Sequence, residues 1–194
     1  MSDFLEGLGR QDRARAAWAA ETTAADSAAL RRAAPAAAAM NRGWVDLANY
    51  LSDQGARTFQ YRHFHVNWQL KLRSHYLPPS PAGFVVGAAR TSEGASSRAP
   101  RKARKNLHSL ALLTPDGRRW NYRHNEGANE LPTMGFEPEW TPENLVAAGT
   151  SYRIQEDGTI LRSKGYGEYE PFFDWLGALG QKMRSPDNYS WLWQ

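Results

Sequence analysis

Alternating apolar and polar residues run through Thr58 to Arg73, TFQYRHFHVNWQLKLR, and alternation decides which side chains can share a face. From Phe64 onward the apolar set is Phe64, Val66, Trp68, Leu70 and Leu72. The polar set is His63, His65, Asn67, Gln69, Lys71 and Arg73. Before Arg62 the phase is reversed, with Phe59 and Tyr61 on the apolar side. A period of two cannot change phase without an extra residue or a bend, so the pattern predicts one long strand with a bulge near Arg62 and His63. Such a strand belongs near the middle of a sheet, with its apolar face in the core and its polar face open to a site.

Around that strand the chain reads as α+β. Residues 11–39 contain fifteen alanines, which predicts a helix from Asp12 to Ala34 ended by Pro35. Met40, Trp44, Leu47 and Leu51 then form a one-sided helical stripe, and Gly55 suits the position just past its end. A short strand is expected from Phe84 to Ala89. Hairpins are expected around Thr114-Pro115-Asp116-Gly117 and around Glu156-Asp157-Gly158. Thr141 and Pro142 mark the start of a short helix closed by Gly149. A last helix begins near Pro171, with Phe172, Leu176, Leu179 and Met183 as its apolar stripe. The expected architecture is an N-terminal helical segment, a curved antiparallel sheet of about six strands and a C-terminal amphipathic helix. The segments are 1–55 for the Ala-rich helical part, 56–184 for the α+β domain and 185–194 for an aromatic tail.

Composition narrows the classes of function. The chain has 194 residues, of which 41% are hydrophobic, so it can bury a core. No stretch approaches the roughly 20 continuous apolar residues of a membrane span, and the opening MSDFLEGLGR has acids where a secretory signal has bases. There is no cysteine, which excludes disulfides, thiolate metal sites and Cys nucleophiles and fits a cytoplasmic protein. Sequence motifs for a serine hydrolase, a P-loop or a dinucleotide site are missing.

The net charge of +4 is local. Arg98, Arg101, Lys102, Arg104 and Lys105 carry +5 between residues 98 and 105, leaving the rest of the chain at −1. They lie in a polar loop, 91–106, whose length suggests function, and flexible cations suit nucleic-acid phosphates. The tail SPDNYSWLWQ packs Tyr189, Trp191, Leu192 and Trp193 into five residues, a composition suited to a protein interface.

His63 and His65 lie two apart, so both imidazoles of an unbroken strand share a face and can chelate a divalent metal. His108 and His124 are candidates for a third ligand. The His-Phe-His spelling resembles the HUH nucleases, which implies metal held by these two histidines and phosphate attack by a tyrosine on a later helix. The order of elements departs from that family. Helices precede the histidines here, Tyr152 reads as strand, and Tyr166 and Tyr169 read as a Gly-rich turn.

The leading expectation is a non-enzymatic intracellular binding protein that works in an assembly. It would touch a protein partner or its own copy through the tail and the Ala-rich helix, and nucleic acid through the basic loop. It names no catalytic residue, no cofactor and no membrane. One alternative is a metal-dependent nucleic-acid-processing enzyme built on His63 and His65. Another is a small-molecule pocket between the curved sheet and the last helix, with His63, Asn67 and Trp68 near its wall.

Overall fold

A computed structural model of the chain describes residues 2–61, 64–66, 74–76, 79–90, 107–123 and 132–184. The fold is α+β, with an N-terminal helix, antiparallel sheets and a C-terminal helix. Two compact units divide the chain, one from Met1–Met40 and Trp140–Phe172, the other from Asn41–Glu139 and Phe173–Gln194. Helix α1 (Ser2–Asp53) contributes residues to both.

Pro35 does not end α1, contrary to the sequence expectation. A proline inside a helix removes one backbone hydrogen bond and costs about 3 kcal/mol. Alanines on either side favour the helix, and Ala33, Ala36, Ala37 and Met40 are all buried around Pro35, so local burial and propensity outweigh that cost. The helix stops where expected. Gly55, at φ +65°, donates to the Ser52 carbonyl and Ala56 donates to that of Leu51. This pair of bonds is a Schellman motif, and it needs the left-handed glycine.

The second unit is built on a five-stranded antiparallel sheet in the order β1 (Thr58–Phe59), β4 (Gly83–Arg90), β5 (Leu107–Leu113), β6 (Arg119–Arg123), β7 (Thr133–Phe136). Strands β2 (Phe64–Val66) and β3 (Ser74–Tyr76) form a separate two-stranded sheet. The single long strand at mid-sheet is therefore corrected. Thr58 and Phe59 occupy an edge, pairing only with Phe84 and Gly83, and the strand lapses at Gln60 and Tyr61. The reason is a competing partner. Tyr61 donates its N–H to the Ser80 hydroxyl (2.8 Å) and accepts from the Ser80 N–H (2.9 Å), so its backbone groups are committed outside any ladder. The bulge expected at Arg62 and His63 lies outside the described residues.

One face of the five-stranded sheet carries the main apolar cluster, Val85, Leu110, Leu112, Trp120 and Tyr122. Register explains it, because Leu110 pairs with Tyr122 and Leu112 with Trp120, so strict alternation puts all four on one side. Phe84 and Leu113 are buried on the other side. Two register shifts interrupt the β4–β5 ladder, at Val85/Gly87 and Ala89/Arg90, and such irregularities bend a strand. Within this unit α1 packs closely on α3 (Phe172–Arg184). A Cβ added to Gly180 would stand 2.9 Å from Leu47 Cδ1, so a larger residue there would have to displace the Leu47 side chain.

The first unit buries Ala33, Ala36, Ala37 and Met40 of α1 together with Leu145, Ile160 and Phe172. Its sheet has three strands in the order β10 (Glu168–Pro171), β9 (Ile160–Gly165), β8 (Tyr152–Ile154). The short helix α2 (Pro142–Ala147) starts at Thr141 as the sequence indicates. The Thr141 hydroxyl accepts from the Asn144 N–H while the Asn144 side chain accepts from the Thr141 N–H. Strands β3, β7 and β10 were not among the expected elements.

Candidate functional site

Most of the residues singled out by sequence lie outside the described ones. That holds for His63, for the loop cations Arg98, Arg101, Lys102, Arg104 and Lys105, and for Tyr189, Trp191, Leu192 and Trp193. Asn67, Trp68 and His124 lie outside as well, and His108 is half-buried on β5. His65 is on β2, where its register partner across the ladder is His75 of β3. Among the described residues, no group of three His, Cys, Asp or Glu converges as metal ligands would, and no helix is long and apolar enough to cross a membrane.

What the structure adds is a strained turn in the first unit. Strands β9 and β10 are joined through Gly165, Tyr166 and Gly167, all with positive φ, at +96°, +52° and +82°. Glycine takes such angles freely. A tyrosine does so at a cost of roughly 1–2 kcal/mol. Tyr166 is the only positive-φ residue other than glycine among the described residues; with Glu168 paired to Gly165, Tyr166 and Gly167 form a two-residue hairpin turn that takes positive φ at both positions, and the Tyr166 side chain is fully exposed.

The base of the same hairpin is tied down. Arg153 stacks 4.1 Å from the Tyr169 ring centroid, and the Tyr169 hydroxyl donates to the Thr150 carbonyl (3.3 Å). Arg162 pairs with Glu170 across the ladder at 2.9 Å, both side chains being mostly buried. Trp140, Tyr152 and Phe172 form an edge-to-face series, with centroids 5.0 and 6.2 Å apart. A rigid base therefore carries an exposed tyrosine at its tip.

A second exposed aromatic belongs to this unit. Trp18 of α1 is 70% exposed, and every residue from 15 to 26 is exposed. The cause is legible in the residues. Extending the buried stripe of Met40, Ala37 and Ala33 toward the N-terminus meets Leu30, Asp26, Thr23 and Ala19, which offer little apolar bulk, and Trp18 lies beside that line.

In the second unit one charged group is well partnered. Arg119 lies 4.7 Å from the Trp44 ring centroid and pairs with Glu137, whose other carboxylate oxygen accepts from the Asn121 amide. Trp175 meets Trp44 edge-on at 5.7 Å. At the β5–β6 turn the Thr114 hydroxyl donates to Asp116 and accepts from the Arg118 N–H (3.1 Å). The hydrogen bond from the Thr114 hydroxyl is the main cause holding the Asp116 carboxyl below its ordinary range. Asp157 is lowered likewise by the Thr159 N–H, and Glu143 by its own backbone N–H at the start of α2. Burial pushes the Tyr122 hydroxyl up, where its ring meets that of Tyr61 at 5.0 Å. These contacts organise turns and packing.

No protein-family model, curated protein or solved structure matches the chain. The functional reading rests on the chain's own residues.

Proposed function

We propose that this chain is a non-enzymatic binding protein that works in an assembly, and that its first unit meets a protein partner through Trp18 and Tyr166. One observation carries the reading. The two most exposed aromatic side chains among the described residues both belong to that unit, one on a helix and one on a rigid hairpin. Tryptophan and tyrosine dominate the energetic centres of protein interfaces. The aromatic tail, with Tyr189, Trp191, Leu192 and Trp193, adds a second contact surface by composition. Cysteine-free composition supports placing this work in the cytoplasm.

Photo-crosslinking tests the interface. A photoreactive phenylalanine at position 18 or 166 should capture the same species in the cell, whether a second copy or another protein. The same probe at Val146, an exposed position of the same unit, should capture little. Capture from none of the three, or equal capture from all, counts against the reading.

A second contact, with nucleic acid, is supported by the five cations between residues 98 and 105. Neutralising them should lower the logarithmic salt slope of duplex-DNA binding by up to about four. Absence of binding at low salt in both proteins would remove nucleic acid from the account. The alternatives of a metal-dependent nucleic-acid enzyme at His63 and His65, and of a small-molecule pocket near His63, Asn67 and Trp68, rest on sequence spacing alone.

A further inference from the structure

Arg15, Trp18, Thr22, Ala25 and Ala29 recur in α1 at alternating spacings of three and four residues, so they line one face of the helix. The first four belong to the stretch from 15 to 26 that is exposed throughout, and Ala29 is half-buried. A large ring at Trp18 followed by smaller side chains at Thr22 and Ala25 can fit its own copy. Reversed end for end around Ala20, a second such helix sets its Thr22 level with Trp18 and its Ala25 level with Arg15. We propose that the exposed part of α1 packs antiparallel on the same segment of a second copy of this chain. The inference rests on the reading of Trp18 as a contact residue, and it names the partner that Trp18 meets.

Charge selects this partner and this direction. Arg15 and Asp26 are eleven residues apart, about three helical turns, and so share one edge of that face. In the reversed pair Asp26 of the second copy lies one residue from the level of Arg15, about 1.5 Å along the axis, and symmetry makes the same meeting twice. A parallel pair would instead set Arg15 against its own copy in the seam and Glu21 against Asp26 of the other helix, so its charges repel. Among residues 15–26 the reversed pair has one like-charge meeting, Glu21 with its own copy, at a solvent-exposed edge where salt screens it. Trp18 loses its 70% exposure against Thr22 and Ala25 of the second copy, and that burial supplies the apolar drive.

Sedimentation equilibrium of the full chain tests it, with Arg15→Glu, Asp26→Arg, the double reversal and Trp18→Ala alongside and circular dichroism to check that each keeps its helix. The wild type should be a reversible dimer at high micromolar concentration. Each single reversal turns two attractive meetings into two repulsive ones and should weaken the dimer roughly tenfold. The two single variants, mixed, should associate as a heterodimer near wild-type affinity, and the double reversal should recover self-association. Trp18→Ala should weaken the dimer as well. Three results overturn the inference: a monomeric wild type, a dimer that the charge reversals or Trp18→Ala leave unchanged, or a dimer that Asp26→Arg strengthens, as a parallel pair would require. A monomeric wild type whose probe at position 18 still captures another protein in the cell would remove the second copy and leave the interface reading standing.

Discussion

Gly117, at the tip of the β5–β6 turn, lies so close to Val45 of α1 that a Cβ on it would stand 2.7 Å from the Val45 Cα and 2.6 Å from its Cγ2. The turn that closes one hairpin is also where Val45 of α1 packs within the second unit. Two requirements meet at this glycine, since its φ of +82° is left-handed as well. The Thr-Pro-Asp-Gly spelling reveals the turn, but nothing in it reveals the helix behind.

Gly117→Ala should therefore destabilise the fold by about 2–4 kcal/mol, combining left-handed strain with overpacking against backbone that cannot rotate away. Chemical denaturation measures it. Val45→Ala in the same background should recover little, because the Val45 Cα remains in place. Full recovery would show that the side chain alone sets the contact.

The Thr114–Asp116 pair predicts a dependence on pH. The folded Asp116 carboxyl titrates below its ordinary value of 3.8, chiefly through the Thr114 hydroxyl. A lowered folded value means that its contribution is fully present above about pH 4 and is lost as pH falls through the folded value. Thr114→Val should move the Asp116 titration, followed by carboxyl NMR, back up toward the ordinary range. It should also cost about 1 kcal/mol near neutral pH through the lost turn hydrogen bonds. An unmoved titration would contradict the assigned donor.

Tyr166→Gly separates stability from binding. Relief of left-handed strain is worth roughly 1–2 kcal/mol, and the extra freedom of glycine in the unfolded chain returns about 0.5–1 kcal/mol of that. The variant should be more stable by about 0.5–1 kcal/mol in thermal denaturation. Its association with the partner should be weaker. A loss of stability would mean that the tyrosine serves the fold.

Much of the fold was legible where one physical signal acts alone. The stripe of Met40, Trp44, Leu47 and Leu51 is buried along its whole length. Thr141-Pro142 starts its helix, and both hairpins marked by Asp-Gly form. The misreadings arise where a nonlocal partner decides. Alternation through Thr58–Arg73 looks continuous because it contains no trace of Ser80 taking the backbone groups of Tyr61. Pro35 looks like a terminator because the burial of Ala33, Ala36 and Ala37 is a tertiary fact. β7 escaped notice because Thr133 to Phe136 is short and on an edge, so its residues are mostly exposed and show no alternation. The same holds for the candidate sites. The Gly-Tyr-Gly spelling was visible as a turn, but the strain and exposure of Tyr166 depend on the hairpin beneath it.

In the proposed assembly Trp18 and Tyr166 are covered when the protein is at work. Hydroxyl-radical footprinting read by mass spectrometry compares both side chains in the living source cell and in the purified chain at high dilution. Oxidation of each should be several-fold slower in the cell, while that of Phe173, exposed in the second unit, stays close to its purified rate. Equal reactivity of Trp18 and Tyr166 in both settings would contradict the assembly reading directly.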